Sequence, residues 1–498
     1  MRKRSAAVGA ALAAVLSVLA LAAGCSGGGA ADATGGRSPG TGSPAPSAGG
    51  PAELPPSGRL PVPSGFDNTR GWTEAVFDRT SRTRPSWAVA PASAMVVRVA
   101  DAEGTVRARA LANGAETWRY RPRRKLDRAR TALYITAGPG GEEYAIVVRE
   151  GVARAEGRTR TRSLVTVDTV PVASTGEARA ARHKEYQDAE AGPFTGRLLI
   201  TTGNGSGMRA LDPLTGEEQS VERFGEVRLA RRRTADLPPG ADCSADTETV
   251  FATEAGPVAV YTQDGYCDYR WQAKDYVPCG KGFTVGGAWR SEKAAVDRAA
   301  AATPLAVVGR YLVVAWSDFP GARSAEASKK DVVAVHSLAD GSVVARTDCD
   351  ITGAPAGRGS VKPLAAQPTS QLSPDGEFLV SGQVGFDLAA KRGWCFADTS
   401  EERGVTLTAV SGTGRAYGIT YSESTWADVP YGSFPYDYGT PGRSMPGRVV
   451  AVDLTTGAVG KELARGTALP VHISKDTGLF LLSGTLAGYP GSTDSEER

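Results

Sequence analysis

The sequence predicts an all-β fold made of repeated strand-and-turn units, and three observations predict it. The first is a recurring hairpin. Residues 448–457 (RVVAVDLTTG) alternate small apolar residues and turn at Thr456-Gly457, and copies turn at Gly114, Gly216 and Gly341. Glycine there supplies the positive φ that a tight hairpin needs. Looser copies turn at Gly176 and Gly265, with a degenerate one at Gly393. The second observation is composition: 61 glycines and 31 prolines beside a hydrophobic fraction of 41% fit many short strands joined by turns. The third is a set of short apolar runs, 197–202, 311–316, 377–381 and 478–483, bounded by Gly, Ser or Asp as buried inner strands are.

Recurrence of one hairpin along a chain is the mark of a repeat architecture. Seven turn glycines predict a β-propeller of about seven four-stranded blades, with six to eight allowed. The apolar run at 478–483 follows the seventh hairpin. The C-terminal strands are therefore expected to complete a blade begun at the N-terminus, closing the ring and removing free edges.

Three segments divide the chain. Residues 1–24 read as an export signal, with Arg2, Lys3 and Arg4 ahead of the apolar run Ala6 to Leu21. That run is short for a bilayer span. Residues 25–66 are rich in Gly, Ser and Pro and read as a disordered tether, too poor in large apolar side chains to offset its ordering entropy. Residues 67–498 form the expected propeller. Without the three basic residues of the signal, the formal charge of +3 falls to zero, which leaves no bulk attraction to nucleic acid.

The junction Leu21-Ala22-Ala23-Gly24-Cys25 resembles a bacterial lipoprotein signal. The resemblance implies cleavage before Cys25 and acylation of its sulfur, which anchors the chain to a membrane without spanning it. Ala22 stands where that family most often has leucine. Residues 211–217 (LDPLTGE) and 452–457 (VDLTTG) resemble the repeat of pyrroloquinoline-quinone-type propellers, a group holding both quinoprotein alcohol dehydrogenases and a non-catalytic assembly-factor lipoprotein. Residues 371–379 (QLSPDGEFL) resemble the Ser-Pro-Asp-Gly turn of TolB-like and WD-type blades.

Residues suited to chemistry are sparse. His183, His336 and His472 fall in different blades, and none has a second histidine or cysteine at ligand spacing. The stretch Gly203–Gly207 reads as a turn, and no Gly-x-Ser-x-Gly elbow is present. The quinoprotein resemblance implies adjacent paired cysteines, a tryptophan platform and a calcium held by acids. No two cysteines here are neighbours, and Asp212 and Asp453 sit on turns where local hydrogen bonding is their expected task. No cofactor, metal or catalytic residue is assigned.

With Cys25 set aside for lipid, five cysteines remain to oxidise in an exported protein. The expected bridges are Cys349–Cys395, between outer strands of neighbouring blades, and one pair among Cys243, Cys267 and Cys279. Two features suit binding. The insertion bearing Trp426, Tyr431, Phe434, Tyr436 and Tyr438 offers aromatic area on a loop, and the basic runs Arg121 to Arg130 and Arg228 to Arg233 offer charge.

These readings predict a monomeric, lipid-anchored, non-catalytic propeller on the extracellular face of the cell membrane, where it binds an envelope protein or wall polymer. Two rivals remain: a quinoprotein-type dehydrogenase, and a sugar- or solute-binding protein.

Overall fold

The computed structural model describes residues 51–75, 86–154, 161–203, 207–229, 243–261, 266–267, 282–294, 296, 301–317, 332–349, 370–397, 404–420, 447–482 and 484–492. The chain divides into two compact units between Ser47 and Ala48, and all of these residues belong to the second. The signal 1–24, Cys25, Gly265, Cys279, residues 230–233 and the aromatic loop from Trp426 to Tyr438 lie outside the described residues.

The second unit is a β-propeller. Strands dominate it, and the one helical element among the described residues is a 3-10 turn at Pro56–Gly58. Most ladders are four-stranded antiparallel meanders. Blade 1 runs Trp87–Ala90, Met95–Val99, Val106–Ala110 and Glu116–Tyr120 from its inner to its outer strand. Blades 2 (127–187), 3 (189–221), 4 (243–290), 5 (301–348), 6 (370–395) and 7 (405–459) follow. Inner strands of successive blades abut, as Trp87–Ala90 does against Asp127–Ala137 and Val405–Val410 against Leu469–Ile473. Blades 5 and 6 share one ladder through a single parallel pair, Arg346 with Arg392. In blade 4, Phe224–Leu229 adds a strand on the inner side of Cys243–Thr253.

Closure comes from the N-terminus. Blade 8 runs Leu469–Ile473, Thr477–Leu482 and Thr485–Pro490, and its outer strand is Trp72–Ala75, paired antiparallel with Thr485–Pro490. This blade has no third-to-fourth-strand turn of its own. A count of turn glycines passes over it, and the described strands fall into seven ladders, one of which joins blades 5 and 6 and two of which carry strands beyond four.

Packing follows strand parity. In blade 2, Ala145, Val147 and Val170 face blade 1, where Val97, Val99, Val106 and Trp118 meet them, while Ile146, Val148, Val165 and Val167 face blade 3. Each fully buried valine contributes on the order of 1.5–3 kcal/mol. The four apolar runs expected innermost are the second strands of blades 3, 5, 6 and 8. They are covered on both faces and by a strand on either side, so they read as apolar as an innermost strand does.

The third-to-fourth-strand turns repeat one geometry. The amide of Gly114 donates to Ala110 O, Gly216 to Asp212 O, Gly341 to Ser337 O and Gly457 to Asp453 O, at 2.7–2.9 Å. Asp453 Oδ1 accepts from Thr455 N at 2.8 Å and Asp212 Oδ1 from Leu214 N at 2.8 Å, so both aspartates serve their own turns. The Thr455 hydroxyl and amide hold the Asp453 carboxyl below its usual range.

Tryptophans of neighbouring blades dock on these turns. Trp72 Nε1 donates to Leu111 O at 2.8 Å, Trp118 to Val172 O at 2.7 Å, Trp289 to Leu338 O at 2.9 Å and Trp394 to Leu454 O at 2.7 Å. Each indole meets a blade 39 to 60 residues away in sequence. Between blades 2 and 3, Arg182 Nε takes this place by donating to Leu214 O. Cys349 and Cys395 join the outer-strand ends of blades 5 and 6 as a disulfide, with a Cα–Cα distance of 5.2 Å. Register sets Cys243 directly opposite Cys267 across two antiparallel strands.

Two expectations need correction. Gly393 is no turn residue: it lies inside Arg392–Cys395, paired with Phe386, and the turn ahead of it places Lys391 at φ +57°. A Cβ at Gly393 would meet the Phe386 ring at 2.7 Å and Arg346 O at 2.9 Å, so close packing explains the glycine. Ordered structure also reaches further toward the N-terminus than composition predicts. Leu54, Leu60, Val62 and Phe66 pack on the Phe480 and Tyr489 cluster of blade 8, and Ala468 N donates to Pro61 O at 2.7 Å. Four spaced apolar anchors suffice amid prolines and glycines.

Candidate binding surface and the buried network beneath it

A meander has two edges. In blade 1 the turns at 91–94 and 111–115 share one, as the Leu111 amide donating to Ala94 O at 2.8 Å shows. The turn at 100–105 and the loop 121–126 into blade 2 share the other. The first edge carries the docked tryptophans, and Gly71 leads into blade 8 there, while Pro61 reaches Ala468 at the other edge.

The second edge is held from below by a buried arginine. Arg149, on Glu143–Arg154 of blade 2, is 1% exposed and reaches across the seam between blades 1 and 2. Its Nη1 donates to Arg124 O at 2.6 Å and its Nη2 to Glu103 O at 3.0 Å, so one guanidinium pins both the 100–105 turn and the 121–126 loop. Strand register lines Thr131, Arg149, Thr166 and Glu185 across blade 2, with Val147, Asp168 and His183 in the next row. Both rows face blade 1, whose Tyr120 lies beside Asp168.

Burial and charge set the protonation of this network. Burial lowers the Arg149 pKa, with Asp168, Tyr120 and Asp101 opposing. Burial raises that of Tyr120, and the Asp168 charge raises it further, so the phenol stays protonated. His183 Nδ1 sits 2.6 Å from Asp168 Oδ1 and Nε2 3.0 Å from Glu185 Oε1. Burial acts to depress this imidazole, but the two carboxylate hydrogen bonds outweigh it and raise its pKa above the ordinary value. Arg149 Nε and Thr166 Oγ1 are buried without a hydrogen-bond partner in this structure.

Above the network lies a row of free charge. Arg121, Arg123, Arg124, Lys125, Arg128 and Arg130 are all exposed, and none pairs with a carboxylate among the described residues. Asp127 is the one acid in the stretch. Arg128 holds φ +54° at a bulge where the strand Asp127–Ala137 shifts register between Asp127 and Arg130. A non-glycine residue at positive φ is uncommon, and bulges often re-aim side chains beside functional surfaces. Several arginines elsewhere are matched: Arg98 and Arg109 with Glu74, Arg107 and Arg119 with Glu116, Arg209 with Glu218.

Two histidines lie apart from this site. His336 in blade 5 is fully buried, taking a hydrogen bond from Trp316 Nε1 at 3.0 Å and lying 2.9 Å from Gly341 O through Nδ1. Burial holds it neutral, opposed by the Gly341 contact. Burial pushes His472 of blade 8 down to about 4. Among the described residues no group of three or more His, Cys, Asp or Glu side chains is placed to hold a metal ion.

Arg149 and Asp168 escaped the sequence reading, although strand alternation carries a signal for both. Residues 145, 147 and 149 share one face, as do 166, 168 and 170, and a charge at such a position is bound to be buried and partnered.

No protein family and no curated protein matches the chain. Among solved structures, BamB from Moraxella catarrhalis aligns at 11% identity over 84% of this chain and 98% of that one, with a TM-score of 0.28. The N-terminal domain of Nup159 aligns at 9% identity over 88% and 99%, with a TM-score of 0.26. Dipeptidyl peptidase 4 from Porphyromonas gingivalis aligns at 10% over 81% and 55%, with a TM-score of 0.36, so this chain spans about half that peptidase. These likenesses concern the fold alone, and the readings below rest on the chain's own residues.

Proposed function

We propose that this chain is an exported, lipid-anchored propeller that acts as a non-catalytic binding module at the cell envelope, using the cationic edge at 121–130. The charge of that edge, without an acidic partner among the described residues and on a loop pinned by buried Arg149, is the observation that carries the reading. A loop held in place before contact loses less entropy on binding. The lipoprotein-type sequence at Ala23-Gly24-Cys25 supports export and anchoring. Both halves can be tested. Cells expressing the full chain and fed an alkyne fatty acid should label it and retain it in membranes, with label and retention both lost in Cys25→Ala. Labelling that survives the substitution refutes the anchor. Dye-linked oxidation of alcohols or sugars that depends on added pyrroloquinoline quinone and calcium would refute the non-catalytic assignment.

A further inference from the structure

We infer that the cationic edge takes a linear phosphodiester polymer of the polyol or sugar phosphate kind, a partner class that rests on the binding-module reading above. The partner's chemistry follows from what the edge contains and lacks. Six exposed cations, Arg121, Arg123, Arg124, Lys125, Arg128 and Arg130, follow a loop and a bulged strand; Asp127 is the one acid within the stretch, and Glu150 stands opposite Arg130 in register. Five of the six are arginines, whose planar fork matches phosphate oxygens two at a time.

What the stretch lacks sets aside a folded protein partner. A protein interface gains most of its affinity from a desolvated apolar or aromatic centre. The one large apolar residue here, Leu126, is 7% exposed and turned into the blade. Charge without an apolar centre suits a polyelectrolyte, which gains affinity by releasing condensed counterions. The stretch also has no aromatic side chain on which a base could stack, so it can read a phosphate backbone and nothing beyond it.

Rigidity supports a specific contact over a diffuse cloud. Arg149 fixes the carbonyl of Arg124, one of the six, and that of Glu103 in the adjacent turn. The bulge at Arg128 shifts the register of the following strand between Asp127 and Arg130.

The test is titration of the full-length Cys25→Ala chain with three probes at matched charge: poly(glycerol phosphate), poly-γ-glutamate, and vesicles of phosphatidylcholine with phosphatidylglycerol. Because this chain needs no anchor, its result is independent of the lipidation experiment. Poly(glycerol phosphate) should bind most tightly. With about four phosphate contacts, its affinity should fall about 50-fold between roughly 50 and 200 mM salt. Replacing Arg121, Arg123, Arg124 and Lys125 together by Gln should abolish binding and leave the melting curve unchanged. Replacing Lys461, Arg465 and Lys475, exposed cations of blades 7 and 8, should leave binding as it was. Equal binding of poly-γ-glutamate, tighter binding of the vesicles, or equal losses from the two sets of substitutions would each overturn the inference.

Discussion

The two edges of the propeller solve one problem in opposite ways. On the edge of the 111–115 turn, four seams are joined by neutral groups: an indole N–H of one blade donates to a turn carbonyl of the next, as Trp118 does to Val172 O. Arg182 on Leu214 O and Glu143 on the amides of Ala92 and Ser93 are charged contacts there. On the edge of the 121–126 loop, the seam between blades 1 and 2 is crossed by the charged Arg149, and charge is left over on the surface above. The neutral joint buries apolar area and satisfies one carbonyl. The charged joint satisfies two carbonyls and fixes a loop, at the cost of desolvating a guanidinium. The contrast teaches that the first edge is built for stability, while the second accepts weaker terms in order to hold a surface in place.

Four stability measurements and one pH profile probe that contrast, from the largest expected effect to the smallest. Trp118→Ala removes a 1% exposed indole and its hydrogen bond, so equilibrium unfolding should show a loss of about 3–5 kcal/mol. A loss below about 1 kcal/mol would dissolve the distinction between the edges. Arg149→Met keeps the stem, removes the guanidinium and leaves two carbonyls unmet, for a loss of about 1–3 kcal/mol. It should also weaken polyanion binding, because the loop loses its pin; unchanged binding would make Arg149 purely structural.

Within the first edge, two glycines separate docking from backbone strain. Gly114 (φ +68°) faces the Trp72 indole, into which a Cβ would collide, whereas Gly176 (φ +63°) has nothing within 4 Å of such a Cβ. Gly176→Ala should cost about 1 kcal/mol from positive φ alone, and Gly114→Ala clearly more. Equal melting temperatures for the two variants would show that the indole yields without cost.

His183 supplies the pH profile. Its pKa is raised in the folded chain, so its pairing with Asp168 and Glu185 stabilises fully below the unfolded value of about 6.5 and fades as pH rises through the folded one. The stability gap between the native chain and His183→Gln should therefore be widest in mild acid and close at alkaline pH. A gap that widens with pH would contradict the raised pKa. Smallest of all should be the quadruple Gln substitution at 121–125, within about 0.5 kcal/mol of native stability, since its side chains are exposed and unpaired.

Much of the fold is legible along the chain because hairpins are local. The turn at Asp453 to Gly457 needs five consecutive residues, and its pattern is visible in any copy. Docking is not local. Trp394 reads as one tryptophan among eight, and Leu454, whose carbonyl it meets, lies 60 residues on. Gly393 was misread for a related reason: its glycine answers to Phe386 and Arg346 across strands, a constraint no neighbouring residue announces. The candidate site divides the same way. The basic run at 121–130 is plain in the sequence, but its lack of acidic partners among the described residues, when Arg98 and Arg109 find Glu74, emerges only when strands are placed side by side.

The sequence by itself determined strand and turn positions, the repeat, and closure by the two ends of the chain, since alternation and positive-φ glycines act over a few residues. The tertiary structure decided which indole meets which turn, that Arg149 spans two blades, and that the charge at 121–130 finds no acidic partner among the described residues. Those outcomes depend on contacts between residues far apart in sequence, and the energy of such a contact exists only once both blades are in place.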